Sequence, residues 1–248
     1  MKNHELLFEL SHPHRIHIIS LLKSESLRLS DIAEIIGIST PEVLRHINRL
    51  LDAKIIVKDQ EGYYSLSSLS HFLSPIIDTT YFLSKNLDFV FSHDFSVIPA
   101  HLRQRMNVLS DADISSGAMH ILHGSEILMD DAKEYLWIMS PQYLSSSSSI
   151  INEKITKGIE FRLLFPKCYQ PPFDFKEIRG VTLHAKQLKK IDFVLFVTDK
   201  SAGLLLPDLQ GKIDFERGLG GSKRNVIDWM GDLFNYYWEK ADRIQDCR

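Results

Sequence analysis

The stretch His184–Asp192, HAKQLKKID, holds a histidine, a lysine two residues on and an aspartate further along. These residue types can do phosphodiester chemistry. An imidazole can attack phosphorus, an ammonium group can neutralise phosphate charge, and a carboxylate beyond them can support the site. A second candidate feature lies earlier in the chain, where Arg162 sits mid-strand in the apolar run EFRLLF. An unpaired charge is costly there, so Arg162 either faces a pocket shared with His184 and Lys186 or is met by a salt bridge or solvent.

The spacing of His184, Lys186 and Asp192 resembles the HxK(x)4D motif of phospholipase D-type phosphodiesterases, with five residues in place of four between lysine and aspartate. In that superfamily two such motifs meet across a pseudo-twofold to supply nucleophile and general acid. This chain has one. The extra residue reverses side-chain direction on a regular strand, although a bulge can absorb the shift and a homodimer can supply a second copy. The expectation is no catalytic residue and no enzyme, with a vestigial anion pocket or a chance pattern both left open.

Composition sets outer limits. The 248 residues are 44% apolar and 25% charged, a globular mix for one or two domains. A net charge of −3 points to no overall affinity for nucleic acid or anionic membrane, so any DNA-binding surface must be local. No apolar run reaches the roughly 18 to 20 residues of a membrane span, and the acids and histidines of MKNHELLFELSHPHRIH are unlike a signal peptide. Two cysteines, Cys168 and Cys247, with no C-x-x-C pair, argue against a thiolate metal site and fit a cytoplasmic chain.

Residues 1–67 read as helix, short helix, turn, helix and hairpin. LSHPHRIHIISLLKSE carries Ile16, Ile19 and Leu22 on one face. Ser30 offers an N-cap for DIAEIIG, which Gly37 stops. In ISTPEVLRHINRLL, Ser39 with Glu42 makes a capping-box pattern, or Thr40 caps with Pro41 in the first turn. At 100° per residue Val43, Ile47, Leu50 and Leu51 face inward, and Glu42, Arg45, His46 and Arg49 form an outer stripe. IIVKDQEGYYSLS then reads as a hairpin.

That order is a winged helix-turn-helix, whose second helix enters the major groove. The DNA-binding candidates are Thr40, Glu42, Arg45 and His46 toward base edges, Arg49, Lys54 and Lys58 toward phosphate, and Ser39 at the start of the helix. The segment resembles the ArsR-like winged-helix regulators. Its eight Lys/Arg against nine Asp/Glu leave it without net positive charge, so dimerisation would help by doubling phosphate contacts. His12, His14 and His17 raise the question of a metal. With no cysteine or carboxylate cluster beside them, and no third ligand for His120 and His123, no metal and no cofactor are expected.

LSHFLSPIIDTTYFLSK places Leu69, Phe72, Leu73, Ile76 and Ile77 on one helical face, with Pro75 a kink or helix start. Residues 68–118 are read as a helical linker and dimerisation region. From residue 119 to 248, short apolar runs such as YLWIMS, IEFRLLFP and FVLFVT alternate with helical stretches, an α/β pattern. Ligands in open α/β sheets sit beyond strand carboxyl ends, here Ser140-Pro141 with the serine run, the region after Phe165, and Ala185-Lys186.

Residues 92–241, through HDFSVIPAHLRQRMNVL, YLWIMSPQYL, KGIEFRLLFP, DKSAGLLLPDLQGKID and WMGDLFNYYWEKA, resemble the sensor domain of the archaeal methanogenesis regulatory protein family. The resemblance implies a transcription factor whose C-terminal domain senses something, and it brings no catalytic residues. The expected fold is α+β: a winged helix-turn-helix, a helical linker and a degenerate phospholipase D-like α/β sensor domain. The expected function is DNA-binding regulation by a homodimer, with a small anionic effector near Ser140, Arg162, His184 and Lys186. The alternatives are a phosphodiesterase or nuclease targeted by a winged helix, and a scaffold binding only proteins.

Overall fold

A computed structural model of the chain describes residues 2–142, 148–167 and 183–243. It divides into two compact units, residues 1–80 and 81–248.

The first unit begins with α1 (Asn3–Glu9), which ends before α2 (Pro13–Leu21) starts. The break comes from His12 and Pro13: the imidazole Nδ1 of His12 accepts the backbone N–H of His14 at 3.2 Å, and proline occupies the first helical position. Next is α3 (Leu29–Ile36). Its N-cap is Arg28 and not Ser30; Asp31 reaches back to accept the Arg28 N–H. Gly37, at φ 77°, closes α3 in the left-handed conformation that glycine adopts most readily.

The long helix α4 (Thr40–Asp52) is capped by Ser39 through its backbone only. The capping box with Glu42 does not form, and Pro41 occupies the second helical position. At its other end Lys54 takes φ 58°, with the Ile55 N–H reaching the Leu50 carbonyl at 2.9 Å. This closure usually uses glycine. The hairpin follows as β1 (Ile56–Lys58) and β2 (Tyr64–Leu66), antiparallel, with Leu27 bridged to Tyr64 on the far side. Ile18, Ile32, Val43, Ile47, Leu50 and Ile55 form the centre of the core, all fully buried. Leu73 and Ile77 of α5 (Ser70–Lys85) join it.

The boundary between units falls inside α5. The second unit contains α6 (Leu87–Ser92), α7 (Ala100–Arg103), β3 (Asp113–Ser116), α8 (Ala118–Asp131), β4 (Tyr135–Met139), α9 (Ser148–Thr156), β5 (Glu160–Pro166) and β6 (Leu183–Leu188). It continues with β7 (Val194–Thr198), β8 (Ala202–Leu205), β9 (Arg217–Gly221), α10 (Arg224–Lys240) and the short β10 (Asp242–Arg243). The eight described strands make one mixed sheet, ordered β10-β6-β5-β4-β7-β8-β9-β3. Only β4, β5 and β6 run parallel to one another.

Both faces of this sheet are covered, which is why its central strands read as continuous apolar runs. Trp229, Met230, Leu233 and Phe234 of α10 pack on one face with Leu102 and Leu109. Met129 of α8 and Ile151 and Ile155 of α9 pack on the other, against Leu136, Ile138, Phe161 and Leu163. Phe82, Phe89, Ile98, Leu102 and Leu109, in the stretch read as linker, belong to the first of these layers.

Candidate nucleic-acid interface

The chemistry of α4 follows from which of its faces the core takes. Val43, Ile47 and Leu50 are fully buried, whereas Ser39, Thr40, Pro41, Leu44, Arg45 and Asn48 are exposed. Arg45 makes no hydrogen bond or ion pair among the described residues, so its five donors point to solvent. Leu44 and Asn48 share that exposed arc and were absent from the sequence expectation. Their positions, one before Arg45 and three after it, are the signal that would have found them.

The outer stripe expected from the sequence is not continuous. Glu42 is half-buried, with Oε1 3.8 Å from His14 Nδ1. His46 is 3% exposed and packs against the rings of His12 and His14. Position 46 lies three residues after Val43 and four before Leu50, inside the arc that the neighbouring helices cover.

Arg49 is engaged at its guanidinium. It donates to both carboxylate oxygens of Glu9, with Nε at 2.9 Å from Oε2. Arg15, buried in α2, contacts the same carboxylate at 3.2 Å and donates to the carbonyls of Glu9 and Phe8, each at 2.7 Å. The bonded Arg49 guanidinium holds the Glu9 carboxyl below the usual carboxylate range; burial pushes the other way, and the charges of Arg15 and Arg49 add to the lowering. Arg49 therefore ties α1 to α4.

The hairpin tip is set by Asp59, whose Oδ1 accepts the N–H groups of Glu61 and Tyr63 at 3.0 and 2.8 Å. Lys58 lies over the Tyr64 ring and Arg28 over the Tyr63 ring, at 5.2 and 4.7 Å from the centroids. Arg28 thereby joins Lys54 and Lys58 as a cation near the hairpin, next to Leu27, which bridges Tyr64.

The four residues expected around an effector are split between the faces of the large sheet. Arg162 and His184 are register partners on β5 and β6, and Lys186 lies two residues on. Arg162 pairs with Glu160 at 2.6 Å, contacts Asn235 at 3.3 Å and lies over the rings of Trp137 and Trp238. Lys186 Nζ donates to the Trp238 carbonyl at 2.9 Å, and Asp192 pairs with Lys190. Among the described residues, no hydrogen bond or ion pair links His184, Lys186 and Asp192. Ser140 instead lines a cavity of about 580 Å³ on the opposite face, walled by Leu128, Ile138, Leu163, Phe165, Phe196 and Leu204. Most of the serine run lies outside the described residues.

Comparison with known proteins agrees with the reading of the first unit. The sequence pattern of bacterial regulatory proteins of the arsR family matches residues 12–58. The transcriptional repressor SdpR of Bacillus subtilis (strain 168) is 39% identical over 62 residues, covering 24% of this chain and 69% of the repressor. Methanogenesis regulatory protein FilR1 of Methanothrix harundinacea (strain 6Ac) is 21% identical over 255 residues. That match covers 94% of this chain but 56% of FilR1, so the chain spans little more than half that relative's length. Among solved structures, TrmBL2, described as an archaeal chromatin protein, aligns at 14% identity and a TM-score of 0.45, covering 98% of this chain and all of TrmBL2. Through its N-terminal unit, this chain belongs to the arsR family of regulatory proteins.

Proposed function

We propose that this protein is a DNA-binding transcriptional regulator that reads the major groove with the exposed face of α4. The observation that carries this reading is the arc Thr40, Leu44, Arg45 and Asn48, solvent-facing on a helix whose other face is locked into the core. Cations at Lys54, Lys58 and Arg28 flank the arc's helix and hairpin, where phosphate contacts would position it. Fluorescence anisotropy on duplex DNA from upstream of its own gene, against scrambled duplex, tests the reading. A bidentate arginine–guanine contact contributes on the order of 1–3 kcal/mol, so Arg45→Ala should weaken specific binding roughly 5- to 150-fold. An unchanged affinity in the variant would remove Arg45 from the interface.

The working form is a homodimer. Phe72 and Ile76, one turn apart on α5, are 76% and 50% exposed, an apolar strip left over after Leu73 and Ile77 enter the core. A twofold pairing of this strip suits a palindromic operator. Phe72→Glu should convert a dimer to a monomer in sedimentation; a wild-type monomer at micromolar concentration would refute the pairing.

The effector site is better placed in the 580 Å³ cavity than around Arg162, since the Arg162 and Lys186 charges already have partners. Its walls suit a largely apolar molecule, and of the residues expected at the site it retains Ser140. A naphthalene-sulfonate fluorophore should brighten on binding wild-type protein, and Leu128→Trp, which fills the cavity, should reduce that gain several-fold. Equal gain in both would exclude the cavity.

A further inference from the structure

Three histidines from two helices converge in the first unit. His12 caps α2, His14 lies two residues on, and His46 projects from the middle of α4. One ring nitrogen from each lies within 4.8 Å of those of the other two. The ring centroids are 4.3 Å apart for His12–His46, 5.3 Å for His12–His14 and 5.4 Å for His14–His46. Both nitrogens of the buried His46, and Nδ1 of His14, have no hydrogen-bond partner. A neutral imidazole has one donor and one acceptor, and native interiors seldom leave both unmet. Ring packing accounts for the burial of His46 but not for these unpartnered nitrogens.

We propose that His12, His14 and His46, with Glu42 as fourth ligand, bind a divalent late first-row transition cation of the Zn²⁺ class. Glu42 stands one turn before His46 on α4, and its Oε1 is 3.8 Å from His14 Nδ1. That is too long for a hydrogen bond but suitable for two ligands of a shared ion. Imidazole nitrogens with a carboxylate oxygen suit Zn²⁺, Co²⁺ or Ni²⁺ and disfavour Mg²⁺ or Ca²⁺. With bonds of about 2.0–2.1 Å, tetrahedral donors stand roughly 3.4 Å apart. The three histidine donors, within 4.8 Å of one another, exceed this by at most about 1.4 Å, which ring rotation can supply.

His12 Nδ1 accepts the His14 N–H at 3.2 Å, and Nε2 is the ring's second possible donor to a metal. His14 and Glu42 are partly exposed at their side chains, which leaves a path of entry. An ion held here would fasten the start of α2 to the centre of α4.

The test uses the full, untagged chain, stripped of metal with a chelator and titrated with Co²⁺ while visible d–d absorption is recorded. One Co²⁺ per chain, displaced by Zn²⁺, is expected. His14→Gln and His46→Gln should each weaken binding at least tenfold, with His17→Gln, on the exposed side of α2, as the unaffected control. Circular dichroism checks each variant's fold. Should His46→Gln fail to fold, the half-exposed His14→Gln decides alone. Absence of the d–d bands, or equal affinity in His14→Gln and wild type, would overturn the site. The titration contains no DNA, so its failure and failure of the DNA reading are independent.

Discussion

Glu9→Ala is expected to destabilise the first unit by about 3 kcal/mol, because it removes the anion facing a buried guanidinium. Arg15 is 3% exposed, and Glu9 is the only carboxylate paired with it among the described residues. Its two carbonyl partners from α1 satisfy N–H groups but not charge. Arg49 would lose its partner too, although its exposed guanidinium can be rehydrated. All three tryptophans, Trp137, Trp229 and Trp238, lie in the second unit. The unfolding transition seen by helical circular dichroism should therefore move in the variant, while the one seen by tryptophan fluorescence stays in place. The effect also has a pH signature. The folded Glu9 carboxyl titrates below its unfolded value of about 4.3. Its contribution is thus fully present above that value and is lost as pH falls through the lower folded one. The gap between wild type and variant should be constant from pH 5 to 7 and shrink below pH 4. A gap that persists in acid would mean that packing of the side chain, and not its charge, supplies the stability.

The second large effect belongs to Trp229. Its indole is fully buried on α10, and Nε1 donates to the Leu102 carbonyl at 3.0 Å, joining α10 to α7. Trp229→Ala opens a cavity and orphans that carbonyl, a loss of about 3–5 kcal/mol. Trp229→Phe keeps much of the packing and should cost about 1–3 kcal/mol, largely the unmet hydrogen bond and the lost volume. Denaturation followed by the remaining tryptophans, which pack on Phe234, reads both. Similar values for the two variants would assign the indole's role to its hydrogen bond alone.

Local patterns were legible where one physical term dominated. The phase of Val43, Ile47 and Leu50 gave α4 its buried face, and the apolar runs YLWIM and EFRLLF gave β4 and β5. Arg162 was visible as a charge needing an answer, and the answer, Glu160, sits two residues back on the same side of the strand. What was not legible depended on distant partners. His46 reads as exposed on an isolated helix, but α2 brings His12 and His14 against it. Glu9 shows its importance only once α1 folds back on α4. Strands β3 (DISS) and β9 (RGLGG) have no apolar run, and they pair antiparallel at the sheet edge across more than 100 residues of sequence, Asp113 with Gly220 at one end and Ser116 with Arg217 at the other.

In the proposed function α4 reads bases and the hairpin holds phosphate. The most direct measurement is the ratio of specific to scrambled-DNA affinity for wild type, Arg45→Ala and Lys58→Ala over one salt series. Arg45→Ala should collapse the ratio toward one. Lys58→Ala should weaken both affinities alike, keep the ratio, and lower the salt slope by about one. An Arg45→Ala variant that keeps the wild-type ratio while losing affinity for both duplexes would contradict the account, because α4 would then be touching only the backbone.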